Sequence, residues 1–405
     1  MHQQEGDATT GGLTGWPHSS FRKRKLEIRF TGSGSEYFRI WIVNLLLTLV
    51  TASLYWPFAK ARRIRYFYAN TLVDGHALAF HGDPWKMFRG HVLLLVLSGV
   101  YSAAGHFSPI AALVAFVLMA VIWPALWRAG MQFRLGNTSW RGMRFGFSGS
   151  LKGAYVPLLP LWVLSGAMVL LGLYADQLHL NESDPASVAR AASHAMRLAW
   201  AIGALFVLML AVMPWVLAGI KRYQHNGYRI ASQQGELTLG NGPVYMLCLK
   251  ALGLGLLIML VSAIIVGVTI GMTSIFGRSP LAAAITGVAS MGLSYLLYFV
   301  LIGPFFTARF QNMVWNRTSS DELRFDSQLR LAPLAWLTLK NWLLMLITIG
   351  LYRPFAVVHT TRLRLESVSV TVDGDPETWV AAETATQQDA AGDFAGDFFG
   401  IDMGL

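Results

Sequence analysis

The densest group of chemically capable side chains is Arg62, Arg63 and Arg65, followed at once by Tyr66, Phe67 and Tyr68. A guanidinium offers a planar fork of N–H donors that matches phosphate or carboxylate oxygens. Comparable cations stand at Arg128, Arg134, Lys221, Arg222, Arg309, Arg317, Arg362 and Arg364. Gathered around one mouth, Arg62, Arg65, Arg128, Arg222, Arg309 and Arg362 make a candidate binding site for a small anion. The same cations equally suit a second role, orienting helices in a bilayer and pairing with anionic lipid headgroups.

Other chemistry finds little support. Asp74 and Asp83 with His76, His81 and His91 form an acid–histidine cluster, but the spacings match no standard zinc motif. There is no Gly-rich phosphate loop leading into Lys-Ser/Thr, no HExxH and no serine elbow. The expectation is a protein that is not an enzyme and needs no metal or cofactor. Cys248 is the single cysteine, so no intrachain disulfide forms. Asn70, Asn137, Asn226 and Asn316 fall where helices should end and read as caps. Ser290, Ser294 and Tyr298 share one helix face, suited either to a polar path or to hydrogen bonds between helices.

The elements that position these residues follow from composition. Of 405 residues, 54% are hydrophobic and 13% charged, against roughly a quarter charged in soluble domains. A formal charge of +10 then reads as the loop bias of a membrane protein, not as a nucleic-acid footprint. The first twenty residues show no cleavable signal pattern.

Apolar segments run over Ile40–Phe58, His91–Gly105, Phe107–Trp127, Ala154–Tyr174, Leu198–Gly219, Val244–Ile270, Leu281–Phe305 and Leu334–Phe355. A bilayer core asks for about 20 helical residues; the third to seventh segments meet that, and the second does if Lys86 and Arg89 reach back to the interface. Pro57, Pro124, Pro214, Pro304 and Pro354 end or interrupt apolar runs and are each followed by cations; the expectation is that each proline breaks its helix at the interface. Lys and Arg crowd the connections 59–90, 128–153, 220–242 and 304–332, whereas 103–109, 175–197 and 271–280 hold Arg190, Arg197 and Arg278. That asymmetry places the proline junctions, and both termini, on the cytoplasmic side. The larger opposite loop carries Asp176, Glu182 and Asp184.

The fold expected is an α-helical polytopic membrane protein of five repeat units: three central helical hairpins, two outer short or re-entrant segments, and small cytoplasmic β elements. The units are 26–83, 84–142, 143–235, 236–322 and 323–376, between a disordered basic tail (1–25) and an acidic disordered tail (377–405). The outer units are the closest copies: Thr51, Leu54, Tyr55, Pro57, Phe58 and Ala59 align without a gap to Thr348, Leu351, Tyr352, Pro354, Phe355 and Ala356. Asn44 and Asn341 stand equally far ahead of their prolines. Leu26–Phe30 and Ser367–Val372 alternate as strands; the second is expected to pair with Leu72-Val73 or Ala77–Phe80. Eight full spans with external termini is the alternative topology.

The stretch Phe30–Asn44, continuing through Tyr55-Trp-Pro-Phe-Ala-Lys-Ala-Arg-Arg-Ile-Arg-Tyr-Phe-Tyr-Ala-Asn-Thr71, resembles the YjgN family of bacterial inner-membrane proteins (the DUF898 domain). The likeness is strongest over 28–83 and returns at 323–376. It implies a bacterial cytoplasmic membrane and carries no mechanism. The functional expectation is a channel or carrier for a small anionic solute. The alternative is a membrane scaffold that binds a cytoplasmic partner or its own copies and transports nothing.

Overall fold

Three of the strand-to-helix loops end in a residue whose side chain caps the helix after it. Ser33 Oγ accepts from the backbone N–H of Glu36, Asp83 from that of Trp85, and Ser150 from that of Gly153. The computed structural model describes residues 23–176, 185–275, 279–373 and 377–379. Most of the expected basic and acidic tails, and Glu182 and Asp184, lie outside the described residues.

In chain order the elements are β1 (Arg24–Phe30), α1 (Gly34–Val50), α2 (Trp56–Ala69), β2 (Thr71–Val73), β3 (His76–Phe80), α3 (Pro84–Phe107) and α4 (Pro109–Gly136). Then come β4 (Thr138–Trp140), β5 (Met143–Phe147), α5 (Leu151–Tyr155), α6 (Leu159–Asp176), α7 (Pro185–Gly227), β6 (Tyr228–Ile230), β7 (Gln233–Gln234) and β8 (Glu236–Leu237). The chain continues through α8 (Asn241–Ile275), α9 (Pro280–Trp315), β9 (Thr318–Ser319), β10 (Leu323–Ser327), α10 (Leu331–Ile347), α11 (Arg353–Glu366) and β11 (Val368–Val372).

Among the described residues, five helices are long and apolar enough to cross a membrane: Pro84–Phe107, Pro109–Gly136, Ala192–Gly227, Asn241–Met272 and Ala284–Trp315. The protein is a helical, polytopic membrane protein. The fourth apolar run is not one long helix as its composition suggests. Pro157 and its neighbours divide it into the short α5 and the longer α6. The first and last runs also break. After α1 the chain reverses at Ala52 and Ser53, with φ of 46° and 73°, and after α10 at Ile349 and Gly350, with φ of 50° and 86°. Thr51 Oγ1 accepts from Tyr55 N at 2.9 Å and Thr348 Oγ1 from Tyr352 N at 3.0 Å, which starts α2 and α11 back along their partners.

The prolines differ from the sequence expectation. Pro57 and Pro354 occupy the first turn of α2 and α11, where no N–H is needed, but Pro124, Pro214 and Pro304 sit inside continuous helices. An interior proline frees a carbonyl one turn back, and neighbouring groups can satisfy the strained backbone. Beside Pro124 the Tyr155 hydroxyl donates to the Val121 carbonyl.

The strands form one sheet and not separate small elements. Every pairing is antiparallel, in the order β7-β6-β5-β4-β3-β2-β1-β11-β10-β9-β8. The expected partners of the last strand are corrected: β11 pairs with β1 and β10, whereas β2 and β3 pair with β1 and β4. The two edge strands, β7 and β8, are separated by Gly235 alone, so the sheet closes on itself. Trp140 and Met143 from one side of the strand order meet Leu323, Val370 and Val372 from the other in a single buried cluster with Leu26 and Trp379. On β1 the alternate residues Lys25, Glu27 and Arg29 are exposed, so the ring has an apolar inside and a charged outside. Trp379 Nε1 donates to Glu322 at 2.8 Å, and Arg141 pairs with Glu377, pinning the chain's last described residues to the ring. The boundaries at 142–143 and 235–236 therefore run through the sheet, and the segments share one core.

Closure is tight at Gly235. Its N–H donates to Tyr228 O at 2.7 Å, and a Cβ there would stand 2.5 Å from the His225 carbonyl oxygen. Gly235→Ala should cost about 1–3 kcal/mol, because backbone cannot yield as a flexible side chain does; a thermal-unfolding midpoint in detergent should fall accordingly, and an unchanged midpoint would contradict the closed ring.

Candidate functional site

The structure assigns most of the six candidate arginines to the joints. Arg65 of α2 donates to Gly82 O at 2.9 Å, Arg128 of α4 to Gly149 O at 2.7 Å, Arg222 of α7 to Leu239 O at 3.3 Å and Arg362 of α11 to Gly32 O at 2.8 Å. In α9 Asn312 takes the part, donating to Leu329 O at 3.0 Å. Each acceptor lies in the loop between a strand and the next helix, so each bond ties a helix to the loop that begins the following segment. Arg362 ties the last helix to the first loop. Arg62 instead lies over the Tyr55 ring, 5.8 Å from its centroid, and Arg309 is exposed on α9. Asn70, Asn137 and Asn316 stand at the C-caps of α2, α4 and α9, and the first two return their Nδ2 to the helix carbonyl one turn back. Ser290 bonds Thr286 O within α9 and meets Thr269 of α8 at 3.2 Å, the inter-helix role. Among the described residues no group of His, Cys, Asp and Glu is placed to hold a metal.

A different set of cations shares one space, although Arg63 and Arg353 are themselves exposed. Lys60 and Arg63 of α2, Arg134 of α4 and Arg353 of α11 line a cavity of about 650 Å³ bounded also by α1 and α3. A second cavity, about 780 Å³, lies between the inner ends of the strands (Ile28, Val73, Leu78, Phe325) and helices α9, α10 and α11. Arg353 and Val357 line both, so the two spaces abut at the start of α11, and Arg364 adds a further cation to the second. Neither lining contains an Asp or Glu. Burial lowers the Arg364 guanidinium from its ordinary value. Burial also raises the Tyr228 hydroxyl, while nearby Arg134 pulls it back.

Two further features were not picked out as site residues from the sequence. Asn44 and Asn341, visible there only as polar interruptions equally far from a proline, line the first and second cavity respectively. His225 is 4% exposed, bonds Thr318 at 2.9 Å and packs against Tyr228 and Trp315; no spacing in the chain signals it. Arg353 was likewise overlooked. Its one signal was its place immediately before Pro354.

Residues 25–398 match the family described as "bacterial protein of unknown function (DUF898)", and the chain belongs to that family. The inner membrane protein YjgN of Salmonella typhimurium (strain LT2) is 23% identical over 374 residues, covering 85% of this chain and 88% of the relative. The inner membrane protein YjgN of Escherichia coli O157:H7 is 29% identical over 164 residues, 38% of this chain and 39% of its own length. That of strain K12 is 27% identical over 157 residues, again 38% and 39%. No solved structure matches.

The joint bonds predict a contrast. Arg362→Ala removes the tie between α11 and the first loop and should lower stability by about 1–3 kcal/mol. Arg309→Ala should stay within about 0.5 kcal/mol of wild type. Thermal unfolding of the two variants side by side checks the difference.

Proposed function

We propose that this member of the family is a channel or carrier for small anions, with the abutting cation-lined cavities as its binding chamber. The observation that carries the reading is the lining itself: Lys60, Arg63, Arg134 and Arg353 share one cavity with no carboxylate among them. Cations gathered along one lining suit a ligand that brings negative charge. Two connected spaces that extend the first toward the strand ring suit a solute in passage.

In this reading the chain is five units set around one axis, each ending in a cation-rich helix and a strand pair. The strand ring and both termini lie in the cytoplasm, as the Lys and Arg bias of the loops supports. The paired helices α1–α2 and α10–α11 enter the bilayer from that side and return. Anionic lipid headgroups meet the exposed cations Arg62 and Arg309.

A second reading, a membrane scaffold without transport, is favoured by one observation. The inside of the strand ring is filled by Leu26, Trp140, Met143, Val370 and Trp379, which leaves no straight path along its axis. The two readings separate in a reconstituted system. Purified protein in liposomes should bind and release a radiolabelled phosphate ester above protein-free vesicles. Replacing Arg63 and Arg134 together by Ala should weaken binding about tenfold or more. Absence of both binding and flux, with a stable partner copurifying, would establish the scaffold instead.

A further inference from the structure

We propose that residues 377–379 form a strap across the outer end of the strand ring, with Trp379 as a stopper between the second cavity and the water beyond. What the strap does to a solute rests on the channel-or-carrier reading, but the strap itself does not. Strand register fixes the depth of each residue along the ring. Ile28, Val73, Leu78 and Phe325 line the second cavity and are partly buried against the ring's apolar cluster. Two residues farther from the helices stand Leu26 on β1 and Leu323 on β10, the latter paired with Val372, and these belong to the cluster but not to the cavity lining. Trp140 and Met143 flank the β4–β5 turn at the same end, where Arg141 and Gly142 take φ of 52° and 84°. Trp379 is 7% exposed in this outer layer, and alone among the cluster's buried members it lies outside the strands.

Two anchors reach the segment from opposite sides of the ring. Trp379 Nε1 donates to Glu322, between β9 and β10, at 2.8 Å. Arg141 of the β4–β5 turn pairs with Glu377 and lies 5.7 Å from the centroid of the Trp140 ring. In the strand order β3, β2, β1 and β11 separate these two turns one way round, and β6, β7 and β8 the other. The segment therefore crosses the mouth instead of following one edge. Both anchors are side-chain bonds, and the Glu377 side chain is 63% exposed, so that its pairing is weak and screened by salt. The strap can thus leave without breaking a strand ladder, as the low-stability parts of a fold do. A tryptophan side chain buries about 150–250 Å², and its departure bares the apolar wall that leads down to Leu78 and the second cavity.

The test measures how fast a membrane-impermeant methanethiosulfonate reaches Leu78→Cys in full-length Cys248→Ser protein held in phosphatidylcholine nanodiscs. Adding Trp379→Ala should speed the reaction about tenfold or more. Because Trp379 also belongs to the core, a second variant keeps it: Glu322→Ala with Glu377→Ala removes both anchors and should speed the reaction about threefold or more. A cysteine at Ala218, fully buried away from the ring, is the control and should stay slow throughout. Equal rates at Leu78 with and without the strap changes would overturn the inference, and so would an equal rise at Ala218, which marks general loosening. Flux of a radiolabelled phosphate ester through liposomes carrying the same variants then separates the two readings. Faster reaction at Leu78 without any flux supports the strap and overturns the channel or carrier. Flux with unchanged reaction at Leu78 overturns the strap and leaves the channel or carrier standing.

Discussion

The pairing of β1 with β11 is the constraint on which the rest depends. Leu26 stands opposite Val370 and Arg24 opposite Val372, so the two ends of the described chain lie side by side. Those few bonds close a loop containing every helix. The entropic cost of such closure grows only slowly with length, and the buried cluster of Leu26, Val370, Val372 and Trp379 offsets it. Arg362 reinforces the same seam by reaching Gly32. At the opposite side of the ring the seam is covalent, through Gly235.

Closing the ring decides what the helices can surround. Each strand pair is entered from a helix whose start or middle holds a proline, so those helices stand together over the ring's inner end. Helical spacing then sorts their side chains. Arg65, Arg222, Asn312 and Arg362 stand equally far past Pro57, Pro214, Pro304 and Pro354 and meet the loops; Arg128, one turn nearer Pro124, does the same work. Lys60, Arg63, Arg134 and Arg353 line the space beside α1 and α3 instead. Cations of one composition thus divide between holding the architecture and charging its interior.

Much of the architecture was legible in the chain. Leu26–Phe30 and Ser367–Val372 were readable as strands because alternation has a period that survives any partner. Thr51 and Thr348, and Asn44 and Asn341, align in the sequence and make like bonds in the structure. Spacing alone could not say which of the candidate arginines would find a carbonyl. Helix 154–174 was misjudged because apolar composition conceals a break at Pro157 when the flanking residues are all hydrophobic.

Apolar length, loop charge and matching junctions are local quantities, so the sequence by itself determined a polytopic helical membrane protein with copied outer segments. Pairing partners are not local. That β11 joins β1, that the eleven strands of the described residues form one sheet, and that Arg353 rather than Arg62 lines the cavity were decided by the tertiary structure. A backbone hydrogen bond carries no record of which strand will accept it, and a helix fixes which residues share a face but not what that face will meet.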